Sequence, residues 1–187
     1  MTEHGTAAPG TSPDEATEPR GPESRADVEA FFDGLVQMGA QLPFNRHLGV
    51  TVSELEVGRA VTRLADDGRL HNHLAGVHAI AELAPVELAG AMAAATRLQP
   101  LLARGYVPVL GALTVKYVAP ARGELLATAV VGEEVLTPAL AAADAGERPR
   151  VEVDVELHDP EGTLVVVAEL RFVYLEVSPP TAAAEAG

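Results

Sequence analysis

One segment, residues 78–99, constrains the fold more than any other part of the sequence. It reads HAIAELAPVELAGAMAAATRLQ and is almost entirely apolar and rich in alanine. Alanine and leucine favour helix, and a helix that is apolar on all sides has to be buried on most of its faces. Pro85 removes one backbone hydrogen bond, so we expect a kink or distorted first turns there. The segment predicts a long central helix that other elements surround.

The sequence on both sides of this helix predicts the strands that surround it. Two short strands precede it, at residues 48–56 and 58–65, and are joined at Gly58. Four stretches with strand-like patterns follow it and are separated by turn signals: 109–118, 124–135, 151–157 and 163–177. Residues 136–149 carry no strong pattern and are predicted as a long loop. The result is an α+β fold in which an antiparallel sheet of about six strands wraps around one long helix.

The ends of the chain differ from this core. From Asp27 to about Gln41 apolar residues recur near helical spacing, which predicts an extra N-terminal amphipathic helix that Pro43 ends. Residues 1–25 are rich in Thr, Ser, Pro, Glu and Gly and predict a disordered tail. Residues 26–177 then form one domain, and residues 178–187 form a loose tail.

The composition excludes several classes of protein. There is no cysteine, which rules out disulfides, zinc–thiolate sites and a cysteine nucleophile, and the net charge of -14 argues against nucleic-acid binding. Residues 1–25 lack the apolar core of a signal peptide, and no uninterrupted apolar stretch reaches membrane-spanning length, so we expect a cytoplasmic protein. Walker, GxGxxG and GxSxG motifs are also missing. An enzyme with this inventory has to use carboxylates, histidine, amides and backbone N–H groups.

Residues 71–90, HNHLAGVHAIAELAPVELAG, resemble the signature of hot-dog-fold thioesterases of the phenylacetate-pathway type. They are more similar still to an uncharacterised branch of that superfamily, whose signature reads Asn-His-Leu-Gly-Thr-Val-His-Ala and then Glu. In both groups an Asn is followed by His six residues later and by an acidic residue fifteen residues later. These are Asn72, His78 and Glu87 here. A later segment, LTVKYVAPARGE, resembles the strand and turn after the helix, so the resemblance covers about residues 44–177.

The resemblance implies the hot-dog fold and hydrolysis of an acyl thioester of coenzyme A or of an acyl-carrier protein, without metal or cofactor. It also implies composite active sites at the interface of a homodimer or a dimer of dimers. The chain departs from the better-known thioesterases, which have Asp at the position of Glu87 and Gly-Gly at the positions of Ala79 and Ile80. The position of an assisting Ser or Thr falls near Leu110.

The residue types also suit this chemistry. Thioester hydrolysis needs an activated water or a carboxylate nucleophile, and a group that binds the oxyanion. The N-terminus of the predicted helix presents unpaired N–H groups, of which Ala79 N–H is the first candidate. A carboxylate on an apolar helix, as at Glu87, should have a raised pKa and act as a base or nucleophile. Asn72 is expected to position the water or the carbonyl.

Three further residues are candidates for binding the substrate, and two of them are cations that could meet the phosphates of coenzyme A: Gly76, Lys116 and Arg122. Nine residues of helix separate His78 from Glu87, which is about 2.5 turns and roughly 13 Å of rise. The two side chains then point to opposite faces. One site would therefore combine His78 and Ala79 of one subunit with Glu87 of another, which predicts a homo-oligomer.

Simpler interpretations of the same residues remain open. Glu87 could be a surface carboxylate or the partner of an arginine, His78 a helix cap and Asn72 an ordinary loop residue. Lys116 and Arg122 could be solvated surface charges. A metal site is a further alternative, because His78 and Glu82 share a helix face near two more histidines, His71 and His73.

Two alternative functions also remain. The first is a hydratase or dehydratase of the same fold that acts on carrier-bound acyl thioesters in secondary metabolism. Such enzymes also use a histidine and an acid. The second is a member of the fold that binds acyl groups without catalysis.

Overall fold

The computed structural model describes residues 25–177. The strands are β1 (Val50–Glu56), β2 (Arg59–Leu64), β3 (Tyr106–Tyr117), β4 (Leu125–Val130), β5 (Arg150–His158) and β6 (Leu164–Glu176). The helices are α1 (Arg25–Gln41), α2 (Pro43–Leu48), α3 (Ala79–Arg97), α4 (Gln99–Ala103) and α5 (Leu136–Asp144). The two predicted tails lie outside the described residues, apart from Arg25, which begins α1.

The six strands form one antiparallel sheet in the order β1-β2-β4-β5-β6-β3. The central helix α3 packs against one face of this sheet and touches β2 and β4 most extensively. Helix α1 lies over β1 at one side of α3. The predicted α+β fold, with six antiparallel strands around a long helix and an extra N-terminal helix, is confirmed.

The two faces of the sheet differ in polarity as the alternating pattern predicts. Along β5, the side chains that point towards α3 are apolar and buried, and those between them are charged and exposed. Leu170 and Phe172 on β6 approach α3 at Gly90, where a Cβ atom would lie only 3.1–3.2 Å from their side chains. The missing side chain at Gly90 therefore lets the helix lie close to the sheet.

Helix α3 is continuous through its internal proline and is largely buried. It starts at Ala79 and continues through Pro85 to Arg97 as one element. The carbonyl of Pro85 accepts a hydrogen bond of 2.6 Å from the buried hydroxyl of Thr62. The helix is long and apolar enough to span a membrane, but 67% of its apolar window is buried inside the domain. Its apolar character is that of a core helix.

Several boundaries differ from the sequence predictions, among them the start of β3, which lies at Tyr106 and not at residue 109. Residues 136–149, predicted as a loop, contain α5, so that prediction is wrong. Ala139 and Ala143 recur at helical spacing and are buried, and the proline at 138 fits the first helical turn. The strand predicted at 124–135 ends at Val130 because Gly132 and a short 3₁₀ turn follow it. Pro43 ends α1 as predicted, but it also begins α2.

Two leucine truncations test how far the core depends on contact with α3. Leu170→Ala should lower the free energy of unfolding by about 2–5 kcal/mol, since Leu170 is 0% exposed and touches the helix. The matched control is Leu126→Ala on β4, where the side chain is 38% exposed and the loss should stay below about 1 kcal/mol. Urea unfolding at one fixed protein concentration measures both. Equal losses would contradict this assignment of the core.

Candidate active site

A pocket of about 550 Å³ lies beside the first turn of α3. Its walls come from the loop before α3, from the first turn of α3 and from the end of β3 with the turn that follows. The lining residues that can carry chemistry are Asn72, Gly76, Ala79, Glu82, Tyr117 and Arg122. Four of these were predicted from the sequence, and Glu82 and Tyr117 were not predicted as parts of this site.

The two loop walls of the pocket are joined at Gly76. The neighbouring Val77 N–H donates a hydrogen bond of 3.0 Å to Ala121 O on the opposite wall. A Cβ atom at Gly76 would lie 2.8 Å from the same oxygen, a distance that side chains do not tolerate. A glycine is therefore required for this close approach, which gives Gly76 a structural reason to line the pocket.

The side chain of Asn72 holds the loop in shape. Its Oδ1 accepts hydrogen bonds from Leu74 N–H at 2.8 Å and Gly76 N–H at 3.3 Å, and its Nδ2 donates to Val77 O at 3.0 Å. An amide nitrogen carries two hydrogens, and only one has an acceptor among the described residues. Asn72 therefore organises the loop and keeps one N–H that can be donated to a ligand.

The first turn of α3 leaves one backbone donor unused. His78 is the N-cap, where its Nδ1 accepts from Ile80 N–H at 3.1 Å and its carbonyl accepts from Ala81 N–H and Glu82 N–H. Among the described residues no acceptor is found for Ala79 N–H. The hydroxyl of Tyr117 donates to Ala79 O at 2.9 Å and fixes this residue against β3. The unpaired N–H at the positive end of a helix suits an oxyanion.

Glu82 is the carboxyl that the structure places in this pocket. Its side chain is 4% exposed, and Oε2 has no hydrogen-bond partner among the described residues. Burial raises the pKa of Glu82 to about 7. Tyr117 is close enough that, after burial, the negative charge of Glu82 also raises the pKa of its hydroxyl. The sequence signal that could have found Glu82 is its spacing, because a residue three positions after Ala79 lies on the same helix face.

Glu87 lies elsewhere on α3. It follows Glu82 by five residues, which turns its side chain by about 140° around the helix. It is half-buried next to Leu83 and Ala91 on the partly exposed face of the helix, and burial raises its pKa, as the sequence predicts. Glu87 does not line the pocket. The structure of one chain therefore does not bring Glu87 together with Asn72 and Ala79.

Of the other predicted site residues, some line this pocket and others lie elsewhere. Arg122 lines the pocket and is exposed, whereas Lys116 is exposed on β3 and does not line it. His78 lines a neighbouring apolar pocket of about 410 Å³, together with Phe44 and Ile80. The catalytic and binding roles of all these residues stay predictions.

The donors of the alternative metal site are not assembled. The side chain of His71 forms a hydrogen bond with Asp66, with 2.8 Å between Nε2 and Oδ1. Glu82 lines one pocket, whereas His71 and His78 line the other. Within residues 25–177 no group of three or more His, Asp and Glu side chains could hold a metal ion. The arrangement of side chains does not favour this alternative.

Residues 34–174 match the model of a family described as a domain of unknown function, DUF4442, and the chain belongs to this family. No curated protein matches the sequence.

Solved structures share the fold. A probable thioesterase of unknown function from Pseudomonas aeruginosa, PA5026, has a TM-score of 0.67 at 18% identity, over 78% of this chain and 95% of that one. The thioesterase HI1161 from Haemophilus influenzae has a TM-score of 0.61 at 16% identity, over 80% and 94%. The PaaI protein of the Escherichia coli phenylacetic acid degradation operon has a TM-score of 0.60 at 16% identity, over 81% and 96%. These similarities confirm the predicted hot-dog fold, and the resemblance to its thioesterases stays a prediction.

The buried carboxyl makes stability depend on pH. Below pH 4.5 Glu82 is protonated whether the chain is folded or unfolded, and between pH 4.5 and about 7 it is protonated only in the folded protein. Rising pH therefore favours the unfolded state across this window. Glu82→Gln removes this effect. The free energy of unfolding of the variant minus that of the wild type should therefore increase by up to about 3 kcal/mol between pH 4.5 and pH 8.

Urea unfolding at pH 5 and pH 8 measures the difference between the two proteins. The control is Glu169→Gln, which changes an exposed carboxyl on β6 and should give the same difference at both pH values. A Glu82→Gln difference that does not change with pH would contradict the burial of this group.

Proposed function

We propose that the protein is a cytoplasmic hydrolase that cleaves an acyl thioester of coenzyme A or of an acyl-carrier protein, without metal or cofactor. The observation that carries this proposal is Ala79 N–H, which has no acceptor among the described residues and lies at the positive end of a 19-residue helix, beside a pocket large enough for an acyl group. The names of two structural neighbours, a probable thioesterase and a thioesterase, support it.

The proposed reaction begins when the thioester carbonyl oxygen accepts a hydrogen bond from Ala79 N–H. The second N–H of Asn72 positions the water or the carbonyl. A Glu87 carboxylate removes a proton from water, and the hydroxide adds to the carbonyl carbon. The negative charge that develops on the oxygen is stabilised by Ala79 N–H and by the helix dipole. The intermediate then expels the thiolate, which takes the proton from Glu87, and the products are a carboxylic acid and a thiol.

A second copy of the chain has to supply Glu87, because this residue does not line the pocket of its own chain. The sheet offers a place for the copy at β3, an edge strand of 12 residues that pairs with β6 and with no other strand of residues 25–177. Val107 and Val109 on this strand are exposed, and Ile80 on α3 is 64% exposed. An unpaired edge with apolar side chains is a template for pairing. We propose a two-fold homodimer across β3, or a dimer of dimers built from it.

The cations contribute unequally to this proposal. Arg122 lies at the pocket, where it can meet the phosphates of coenzyme A or of a carrier-protein arm. Lys116 reaches such phosphates only if the second copy extends the site along β3. Gly76 contributes by allowing the two walls of the pocket to approach each other.

The role of Glu87 is tested by Glu87→Gln, which keeps the size of the side chain and removes the base. Release of free thiol from acyl thioesters should fall by about 10²-fold or more. The control is Glu169→Gln, which changes an exposed carboxyl on the strand β6 and should keep wild-type activity. A Glu87→Gln protein with normal turnover would show that another group is the base.

The oxyanion donor is tested by Ala79→Pro, which removes one N–H group and little else. Proline suits the first position of a helix, and His78 already has the extended backbone (φ -70°, ψ 132°) that the residue before a proline requires. The turnover number should fall by about 10²–10³-fold. Circular dichroism and an unchanged melting temperature check that the helix is intact. Full activity in a folded Ala79→Pro protein would exclude this donor.

Mixing the two inactive variants tests whether the site is shared. A dimer of one Ala79→Pro subunit and one Glu87→Gln subunit contains one complete site if Ala79 and Glu87 come from different chains. Subunit exchange should then restore thiol release to roughly half of the wild-type rate per mixed dimer. No recovery in a verified mixed dimer would place both groups of a site within one chain.

The oligomeric state gives an independent measurement. Light scattering at micromolar concentration should give the mass of a dimer or tetramer, and Val109→Asp, at the exposed edge, should shift it towards the monomer with loss of activity. The control is Val57→Asp, an exposed valine in the turn between β1 and β2. A wild-type protein that is only monomeric would contradict the shared site.

A further inference from the structure

The pocket contains a carboxyl group that the proposed reaction does not use. Glu82 is 4% exposed and lines the pocket, and its Oε2 has no hydrogen-bond partner among the described residues. An unpartnered polar atom inside a protein is costly, and a leucine at this place would avoid that cost. The first two turns of α3 are otherwise apolar apart from this residue. The cost is explained if a ligand supplies the missing partner.

The other polar groups of the pocket are engaged either with the protein or in the proposed reaction, which uses Ala79 N–H and the second N–H of Asn72. The hydroxyl of Tyr117 donates to Ala79 O, and Asn72 holds its loop with both ends of its amide. The remaining walls include Val77, Val118 and Ala121, which are apolar. Glu82 therefore provides a hydrogen-bonding atom that neither the described residues nor the proposed reaction uses, and it can act as an acceptor.

The position of Glu82 limits where the ligand's donor can be. Ala79 and Glu82 are three residues apart on one helix face, which places their Cβ atoms about 5–6 Å apart. If the thioester oxygen is bound at Ala79 N–H, then a group that reaches Glu82 lies only a few bonds from the carbonyl carbon.

We propose that Glu82 selects acyl groups that carry a hydroxyl close to the thioester, such as 3-hydroxyacyl groups, by accepting a hydrogen bond from that hydroxyl. A hydroxyl fits this place in both protonation states of Glu82. It donates a hydrogen bond to Oε2 when the carboxyl is ionised, and it can both donate to and accept from the carboxyl when the carboxyl is protonated. The inference rests on the proposed thioester hydrolysis and adds the class of acyl group to it. Glu82 acts as a specificity-determining residue, and Glu87 stays the base.

The test compares two thioesters that differ by one hydroxyl. The probes are the N-acetylcysteamine thioesters of a 3-hydroxyacyl group and of the unsubstituted acyl group of equal length, which mimic the arm shared by coenzyme A and carrier proteins. The wild-type protein should favour the hydroxylated probe by about 10-fold or more in kcat/KM, since a site with a buried polar group rejects a ligand that leaves it unpaired.

Two variants of Glu82 complete the test. Glu82→Leu should abolish the preference, with the loss for the hydroxylated probe found mainly in KM, because the contact binds ground state and transition state alike. Glu82→Gln keeps one acceptor oxygen and should retain part of the preference. A structural role alone would lower activity on both probes equally. Equal kcat/KM values in the wild-type protein, or an equal fall in kcat for both probes in Glu82→Leu, would overturn the proposal.

The same probes separate this inference from the proposed function. If the wild-type protein hydrolyses neither probe, then the hydrolase proposal fails and the selection is measured by binding. The thioether analogues of the two probes cannot be hydrolysed, and their Kd values are obtained by calorimetry. A preference of about 10-fold for the hydroxylated analogue that disappears in Glu82→Leu supports the role of Glu82 without turnover. Equal Kd values in the wild-type protein overturn it.

Discussion

The structure depends on the burial of one helix that has almost no polar face. Helix α3 cannot be left on the surface, so the sheet has to present an apolar face along it, and β5 does so with buried and exposed side chains in strict alternation. The sheet can come close because Gly90 carries no side chain where Leu170 and Phe172 approach. The position of α3 against the strands also decides where its N-terminus lies.

The N-terminus of α3 is fixed by contacts that also build the candidate site. His78 caps the helix with its ring nitrogen and its carbonyl, Asn72 shapes the loop before it, and Val77 N–H ties that loop to Ala121. These bonds satisfy most of the donors that a helix start leaves free. The donor that they omit, Ala79 N–H, lies at the pocket. The same contacts that stabilise the fold therefore leave one backbone N–H available for a ligand.

The fold was predictable from the sequence because its main signals are local. The apolar helix, the alternation in β5 and the turn signal between the strands predicted at 151–157 and 163–177 each depend on neighbouring residues. The structure agrees with them, and Gly162 N–H donates to Asp159 O at 3.0 Å in that turn. Helix α5 was missed because its buried positions, Ala139 and Ala143, carry side chains too small to give a clear hydrophobic period. The pocket depends on contacts between loops that are distant in the sequence, such as Val77 with Ala121. No local sequence pattern predicts such contacts.

The resemblance singled out Glu87, but only the structure shows that the two glutamates of α3 have different surroundings. Both sit on an apolar helix, and burial raises the pKa of each, so composition gives no reason to distinguish them. Their five-residue spacing does, because it directs Glu82 into the pocket of its own chain and Glu87 to a partly exposed face that no described element covers fully. A half-buried carboxyl on such a face remains partly solvated in a single chain, and it could act as a base in a site that a second surface encloses. In the proposed dimer one helix would serve two pockets, its own through Glu82 and that of the neighbouring copy through Glu87, and the proposed specificity would then depend on assembly.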